Sequence, residues 1–586
     1  MNKKRRSVPG IRHYDGPAGG WGALKATAIA VRTQMDTLDA PATLLRTNQP
    51  DGFDCPGCAW PDKEHKSTFQ FCENGAKAVT WEATNKRVTT DFLAKNSVSS
   101  LLAKSDFELE GYGRLTHPLR YDRASDTFQP VEWDDAFQRI GEVLRGLEPD
   151  QVEFYTSGRA SNEAAYLFQL FAREYGTNNF PDCSNMCHEA TSVGLPRSIG
   201  IGKGTVSLDD FDKTELVISI GHNPGTNHPR MMGTLHELAR RNVPIPAFLN
   251  RLKEVFGFEP PAHHGHDAVQ ATQAMIDGRA KALICLGGNF AVAMPDHENG
   301  FPAMNTLDLS VHIGTKLNRT HLLVGKETFI LPCLGRTELD VQATGRQSIT
   351  VEDSMSMVHA SSGKLKPASP RLRAEPAIVA GMAQATLRET RVDWMTLVED
   401  YDRIRNLIER TIPGFENYNE RIRIPGGFRM PLPPTERIWP TATGKAMFSV
   451  FDGVNENASG EGDNVLRLIT LRSHDQYNTT IYALDDRYRG VFGRRDVLFM
   501  NEDDMAQSGL EHGDRVDIET ALPGSVQRLE DITVVAYSIA PGSVGAYYPE
   551  ANVLVPLDYL DKDSGTPSYK SVPVRLILRS KEIRVL

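Results

Sequence analysis

Long apolar runs are missing from the 586-residue chain, and none approaches the roughly 18 residues a helix needs to span a bilayer. An excess of positive charge is missing too. The formal net charge is -10, which argues against nucleic acid as the main partner, because neutralising phosphates takes a basic surface. Cysteine is scarce. Cys55, Cys58, Cys72, Cys183, Cys187, Cys285 and Cys333 are odd in number and widely scattered, which suits reduced thiols and metal ligands in the cytosol better than a disulfide framework. The N-terminal MNKKRRSVPGIRHYDGPAGG carries a twin arginine but lacks the apolar stretch of an export signal, since Pro9, Gly10, His13, Asp15 and Gly16 stand there. It reads as a disordered cytoplasmic tail, with nucleic-acid contact the weaker alternative.

What is present is the composition of a soluble globular protein, 40% hydrophobic and 24% charged. The length exceeds one ordinary core, so several domains sharing interfaces are expected. Residues 1–50 are rich in turn formers and read as a segment that wraps over other domains. In GFDCPGCAWPD, Cys55 and Cys58 flank a Pro-Gly turn tight enough to aim two thiolates at one metal or cluster, and Cys72 is a candidate third ligand. A structural zinc site, a redox CxxC and a turn with incidental thiols stay open beside that reading.

The stretch from Gly113 to Trp133 alternates as a hairpin about a turn at Ala124 to Asp126, and Asp134 is the expected cap of the helix after it. Parallel α/β organisation then begins. The short strand Val152 to Tyr155 runs into Ser157-Gly158-Arg159 and a helix over 162–174 that is apolar almost all round. A strand, a glycine turn and a buried helix is how a nucleotide-type cofactor meets a helix N-terminus. Leu216 to Ile220 repeats the strand, with a turn of Gly221, His222, Asn223, Pro224, Gly225, Thr226 and Asn227 that offers N–H groups and amides to an anion. Ala282 to Leu286 ends at Gly287-Gly288-Asn289, and the strands Leu307 to His312 and Thr328 to Leu331 are followed by turns holding Lys316, Asn318, Arg319 and Arg336. Residues 375–410 read as two helices and 411–460 as a proline- and glycine-rich linker. From Val465 onward short strands with tight turns predict a β-barrel-like domain, whose first strand leads into Arg472, Ser473, His474, Asp475, Gln476, Tyr477 and Asn478.

Between these lies CSNMCHEATSVGL, in which Cys187 stands beside His188. The ordered set of CPGCAW, TSGRASNEAAY, CSNMCHEATSVGL, IGHNPGTNHPRMM, CLGGNFAVAMPD, TKLNRTHLL and LRSHDQYNTTIY resembles the molybdopterin oxidoreductase superfamily, nearest its formate dehydrogenase alpha-subunit-like branch. That resemblance implies a multidomain α/β fold of the formate dehydrogenase/DMSO reductase kind, with parallel-sheet cofactor domains and a C-terminal double-psi β-barrel-like domain. On this chain it maps an N-terminal wrapping and iron-sulfur region to 1–150, the two parts of a molybdopterin-binding α/β domain to 151–247 and 248–440, and a dinucleotide-binding barrel to 460–586. The implied cofactors are molybdenum bis-molybdopterin guanine dinucleotide and a 4Fe-4S cluster on Cys55, Cys58 and Cys72. Cys187 matches the molybdenum ligand, with His188 as the adjacent base. Expected cofactor contacts are Ser157, Gly158, Arg159, His222, Asn223, Gly225, Thr226, Asn227, Gly287, Gly288, Asn289, Lys316, Asn318, Arg319, Arg472, His474, Gln476, Tyr477 and Asn478, while His222 reads equally well as a satisfied turn histidine. Arg159 or Arg489 could supply positive charge to an anionic substrate.

The implied activity is two-electron redox chemistry on a small substrate, with an electron-transfer protein as partner. Two departures stand against it. Relatives often supply four cysteines near the N-terminus, and their strand resembling Val243-Pro244-Ile245 continues into a further unit of roughly 150 residues or more, the size of a folding domain. Here the chain passes directly to Phe248, so part of the middle α/β domain is expected to be missing. The rival reading is a catalytically impaired, shortened homologue acting through interactions or in stress or acid response.

Overall fold

The computed structural model describes residues 6–16, 19–35, 39–61, 68–187, 189–207, 210, 246–448 and 464–579. His188, the expected strand Leu216 to Ile220, its turn through Asn227 and the segment up to Ile245 lie outside the described residues.

A six-stranded sheet forms the centre. Strands β1 (Leu119–Asp122) and β2 (Thr127–Pro130) make the expected hairpin. Strands β3 (Val152–Thr156), β4 (Ala282–Leu286), β5 (Leu309–Gly314) and β6 (Glu327–Pro332) run parallel to one another, and the spatial order is β2-β1-β6-β5-β4-β3. The sequence places the hairpin in the N-terminal region, whereas Leu119 and Arg120 pair antiparallel with Ile330 and Phe329, which makes it one edge of the central sheet. All of β4 is buried, as expected for a parallel strand covered on both faces.

Alternate side chains of these strands divide between two apolar layers. Phe154, Ile284, Val311 and Phe329 pack with helices α2 (Trp133–Leu144), α3 (Asn162–Tyr175) and α5 (Glu375–Thr386), which follow α1 (Glu73–Glu82) and flank α4 (Glu189–Ile199) in chain order. Tyr155, Leu283 and Cys285 point the other way, into a core shared with the C-terminal barrel. Helix α3 starts where the Ser161 side chain accepts from the Ala164 N–H, and it stops at Gly176, whose φ of 116° suits glycine. The expected cap at Asp134 is corrected. Helix α2 begins at Trp133 without a side-chain cap, and Asp134 and Asp135 lie in its first turn, where carboxylates favour the helix dipole. Residues 375–411 form three helices rather than two, because Asp400 ends Trp394–Glu399 and caps Tyr401–Thr411.

The C-terminal strands close into a barrel. They are β7 (Leu466–Leu471), β8 (Val497–Met500), β9 (Arg515–Thr520), β10 (Arg528–Ala536), β11 (Ser543–Tyr547) and β12 (Val572–Leu578), in the order β7-β11-β8-β10-β9-β12. Two pairs, β7 with β11 and β8 with β10, are parallel, and the rest are antiparallel. The sequence reading omits β12, which carries Pro573 and so lacks the usual signature of an interior strand. Near the N-terminus the Arg12 N–H donates to the Gly490 carbonyl at 2.9 Å, so this part of the tail lies against the barrel loops.

One buried feature sets an acid limit on the fold. His312 on β5 lies 5.2 Å from the His321 ring, and both of its ring nitrogens lack a hydrogen-bond partner. Burial holds its pKa down to about 3 and that of His321 well below its ordinary value, so both rings are neutral when folded. The unfolded chain takes up these protons near pH 6.5, so their contribution to stability is complete above that pH and is lost as pH falls toward 3. Substituting His312→Phe should flatten that acid slope by up to about 3 kcal/mol between pH 6.5 and 4. Urea midpoints at pH 7 and pH 4 check this, and an unchanged slope would count against it.

Candidate functional site

Because β3 to β6 are parallel, their carboxyl ends open on one side, where α/β sheets bind ligands. Ser157, Gly158 and Arg159 follow β3; Gly287, Gly288 and Asn289 follow β4; Lys316 and Asn318 follow β5; Gly335 and Arg336 follow β6. All of these line one cleft of about 300 Å³, which Trp81 and Glu82 of α1 wall and Tyr477, Asn478, Thr479 and Thr480 of the barrel domain cover. Backbone crowds the space. Gly288 has φ +78°, and a Cβ there would meet the Tyr155 ring at 2.8 Å, so only glycine lets the strand end approach so closely.

Cations and acids line the cleft together, and some of their polar atoms are left unpaired. Arg336 donates through Nη2 to the Arg159 carbonyl at 2.6 Å, while its buried Nη1 has no partner. Burial first, and then the Arg159 guanidinium, lower its pKa to about 10. Arg159 donates to the Cys55 carbonyl at 2.5 Å and keeps a buried Nε without a partner. Lys316 sits 4.1 Å above the Trp81 ring, and burial holds its ammonium well below the ordinary range. Glu110, which accepts from the Trp81 Nε1 at 3.1 Å, is raised to about 7 by burial. Asn289 accepts from the Thr320 hydroxyl at 2.8 Å, and its amide also interacts with the Asp106 carboxyl. Buried cations with idle N–H groups, set among glycine turns, suit a polyphosphate-bearing ligand.

A second, smaller cavity adjoins the cleft. Cys55, Cys58 and Cys72 line it, and Tyr477 and Tyr482 line both spaces and so form the wall between them. Burial, then the neighbouring Cys58 and Cys72, push the Cys55 thiol up to about 12. The Gly57 N–H donates to the Cys55 Sγ, and the Gly75 N–H to the Cys72 Sγ, each at 3.3 Å. Two thiols crowded against a third, with N–H groups aimed at sulfur, suit a cation or cluster that would relieve the repulsion. No disulfide involves any of the seven cysteines.

Cys187 lies in the turn before α4. Its N–H donates to the Ser184 carbonyl at 3.0 Å, and the turn is pinned where the Asn185 Oδ1 accepts from Asp182 and Ala268. The Cys187 side chain is exposed, with the Arg472 Nη2 3.8 Å from its Sγ. Partial burial of the Lys570 ammonium, and then the Arg472 charge beside it, lower that group to about 8. Cys183 sits behind, its Sγ accepting from the Gly158 N–H at 2.9 Å.

Several expected contacts fall elsewhere. His474 is buried in a charge cluster in which Lys77 bonds Glu73 at 2.7 Å and also Asp475, so an ammonium stands where these acids could otherwise hold a metal. Burial alone would raise the Glu73 carboxyl, yet the bonds from Arg487 and His474 pull it far below its usual range. Arg319 clamps the Leu102 and Lys104 carbonyls at 2.6 and 2.5 Å. Gln476 lines the thiol cavity and donates to the Asn478 and Tyr548 carbonyls. Arg489 is committed to Asp486 and the Arg472 carbonyl. His188 and the turn residues His222, Asn223, Gly225, Thr226 and Asn227 lie outside the described residues. Sequence reasoning missed Trp81, Glu110 and Lys570, and it placed Arg336 in a strand-end turn without counting it among the cofactor contacts.

Comparison with known proteins accounts for this layout. Residues 114–310 match the molybdopterin oxidoreductase family, and residues 466–573 match the molybdopterin dinucleotide binding domain. Protein YdeP of Escherichia coli (strain K12) is 42% identical over 751 aligned residues, covering 97% of this chain and 99% of that one. An alignment of 751 positions against 586 residues leaves at least 165 positions with no residue of this chain opposite them. Uncharacterized oxidoreductase Rv2900c of Mycobacterium tuberculosis (strain H37Rv) is 36% identical and covers 93% of each chain. Acetylene hydratase from Pelobacter acetylenicus shares the fold, with a TM-score of 0.54 at 12% identity over 82% of this chain and 93% of that one.

Proposed function

Because the chain belongs to the molybdopterin oxidoreductase family, we propose that it carries out two-electron redox chemistry on a small, formate-like anion at a molybdenum ligated by Cys187. The observation that carries this reading is the pair of half-buried guanidiniums, Arg159 and Arg336, each of which keeps a buried nitrogen without a hydrogen-bond partner although acids such as Glu82 and Glu375 line the same cleft. Arg159 and Arg336 would hold the diphosphate of a molybdopterin dinucleotide, and the glycine turn at 287 and 288 would leave room for its rings. When bound, the pterin-held metal supplies the two-electron couple that no side chain provides.

The chain's own residues do the rest. Cys187 offers a soft thiolate from a pinned turn, and Arg472 and Lys570 beside it set positive charge where an anionic substrate would lie. His188, next in the chain, is the base that takes the substrate proton on its imidazole nitrogen. Cys55, Cys58 and Cys72 hold an iron-sulfur cluster behind the shared tyrosine wall, from which electrons would pass to a partner protein.

The at least 165 unmatched positions favour a second reading, in which the chain is an internally shortened homologue with reduced cofactor binding that acts through its surfaces. One measurement separates the two. Full-length protein purified from a cofactor-producing host should contain molybdenum and release guanine nucleotide on acid hydrolysis. A molybdenum-to-chain ratio near zero would overturn the enzyme reading in favour of the shortened homologue.

A further inference from the structure

The thiol cavity lacks a fourth cysteine. Cys285 and Cys333 are buried in or beside the central sheet, and Cys183 and Cys187 belong to the turn before α4, so three sulfurs are all that this cavity receives. A cubane cluster has a fourth iron to satisfy. Among the described residues three side-chain amides line the cavity, and two of them are spent. Asn48 accepts from the Cys55 N–H at 2.8 Å and donates to the Gln70 carbonyl at 2.7 Å. Gln476 donates to two carbonyls and accepts from Ser473 and Arg495.

Asn74 differs. Its Nδ2 donates to the His474 carbonyl at 2.6 Å, and a carbonyl can only accept, so the orientation of the amide is fixed by chemistry. Its Oδ1 is consequently the buried atom left without a hydrogen-bond partner. Asn74 also sits between Cys72 and Gly75 at the start of α1, where a Cβ on Gly75 would come within 3.3 Å of the Cys55 Sγ and 3.6 Å of the Cys72 Sγ. Asn74 lines the same cavity as the three sulfurs and brings to it an oxygen lone pair that no hydrogen bond uses.

We propose that this cavity holds a four-iron cluster through Cys55, Cys58, Cys72 and the Oδ1 of Asn74, so that one iron is chemically distinct from the other three. The proposal rests on the iron-sulfur reading above and adds the ligand that completes it. A neutral oxygen in place of a thiolate leaves the cluster one negative charge lighter, which favours its reduced form, and makes the fourth iron the easiest to remove.

Iron and sulfide counts, Mössbauer spectra and a chelator challenge on the full-length protein, reconstituted without oxygen, test the assignment. The native chain should hold about four irons and lose one of them to EDTA, whereas N74A should hold about three and, when oxidised, show the paramagnetic signal of a three-iron cluster. N74C, which supplies a thiolate at the same point, should keep all of its iron against the chelator and so controls for folding. A native chain that takes up no iron and sulfide would remove both the cluster reading and the Asn74 assignment. A native chain that loads a cluster matched by N74A in iron count and chelator resistance would remove the assignment alone, as would a native cluster of three irons.

Discussion

Replacing Cys187 with alanine should lower turnover of a formate-like substrate, assayed with an artificial electron acceptor, by more than about 100-fold, because removing the proposed metal ligand would cost more than the 10- to 100-fold typical of a ligand's supporting partners. Stability should barely move. The Cys187 side chain is exposed, so the change in unfolding free energy should stay within about 0.5 kcal/mol. Cys187→Ser, which keeps an oxygen donor in the same turn, should fall between the two. Turnover at the native rate in the alanine variant, at equal molybdenum content, would exclude the ligand role.

Substituting Arg336→Met should have two effects of opposite sign. Removing one buried cation from a charge pair costs on the order of 2–5 kcal/mol, so retention of the dinucleotide should weaken by about 30-fold or more. In the cofactor-free protein the same substitution should leave the melting temperature unchanged or raise it. The lowered pKa of Arg336 means that the acids around it do not repay its burial, so a methionine stem of similar length relieves a cost. Guanine nucleotide release and thermal melts of loaded and cofactor-free samples read the two effects separately. Destabilisation of the cofactor-free form would make Arg336 a structural residue instead.

The parts of this architecture that were legible in the sequence are those that depend on neighbours in the chain. Strands β3, β4, β5 and β6 are buried on both faces and read as apolar runs, and the polar or glycine turn after each one marks its carboxyl end. Ser157, Gly287, Lys316 and Asn318 were found in this way, and Cys55, Cys58 and Cys72 stood out by residue type. What stayed hidden depends on pairing across the chain. No local pattern joins Leu119 to Ile330, brings Trp81 and Glu110 to Lys316, or sets Lys570 beside Arg472. His474 shows the converse. It stands in a dense polar loop like its neighbours Tyr477 and Asn478, yet it turns into a buried charge cluster, because the short strands that follow reverse the chain.

The core shared by the central sheet and the barrel has a consequence for how the protein is made. Tyr155, Leu283 and Cys285 on one side and Leu468, Val516 and Val544 on the other belong to a single apolar seam, and the cleft lies along it. Opening the cleft by swinging the barrel away would expose that seam to water, at a cost that grows with every apolar side chain uncovered. A bulky dinucleotide therefore has its best opportunity to enter while the two units are still coming together. Chains that close without it should persist as a separate population that fills slowly when cofactor is added later, so the timing of cofactor supply, as much as its concentration, should govern how much of the protein becomes active.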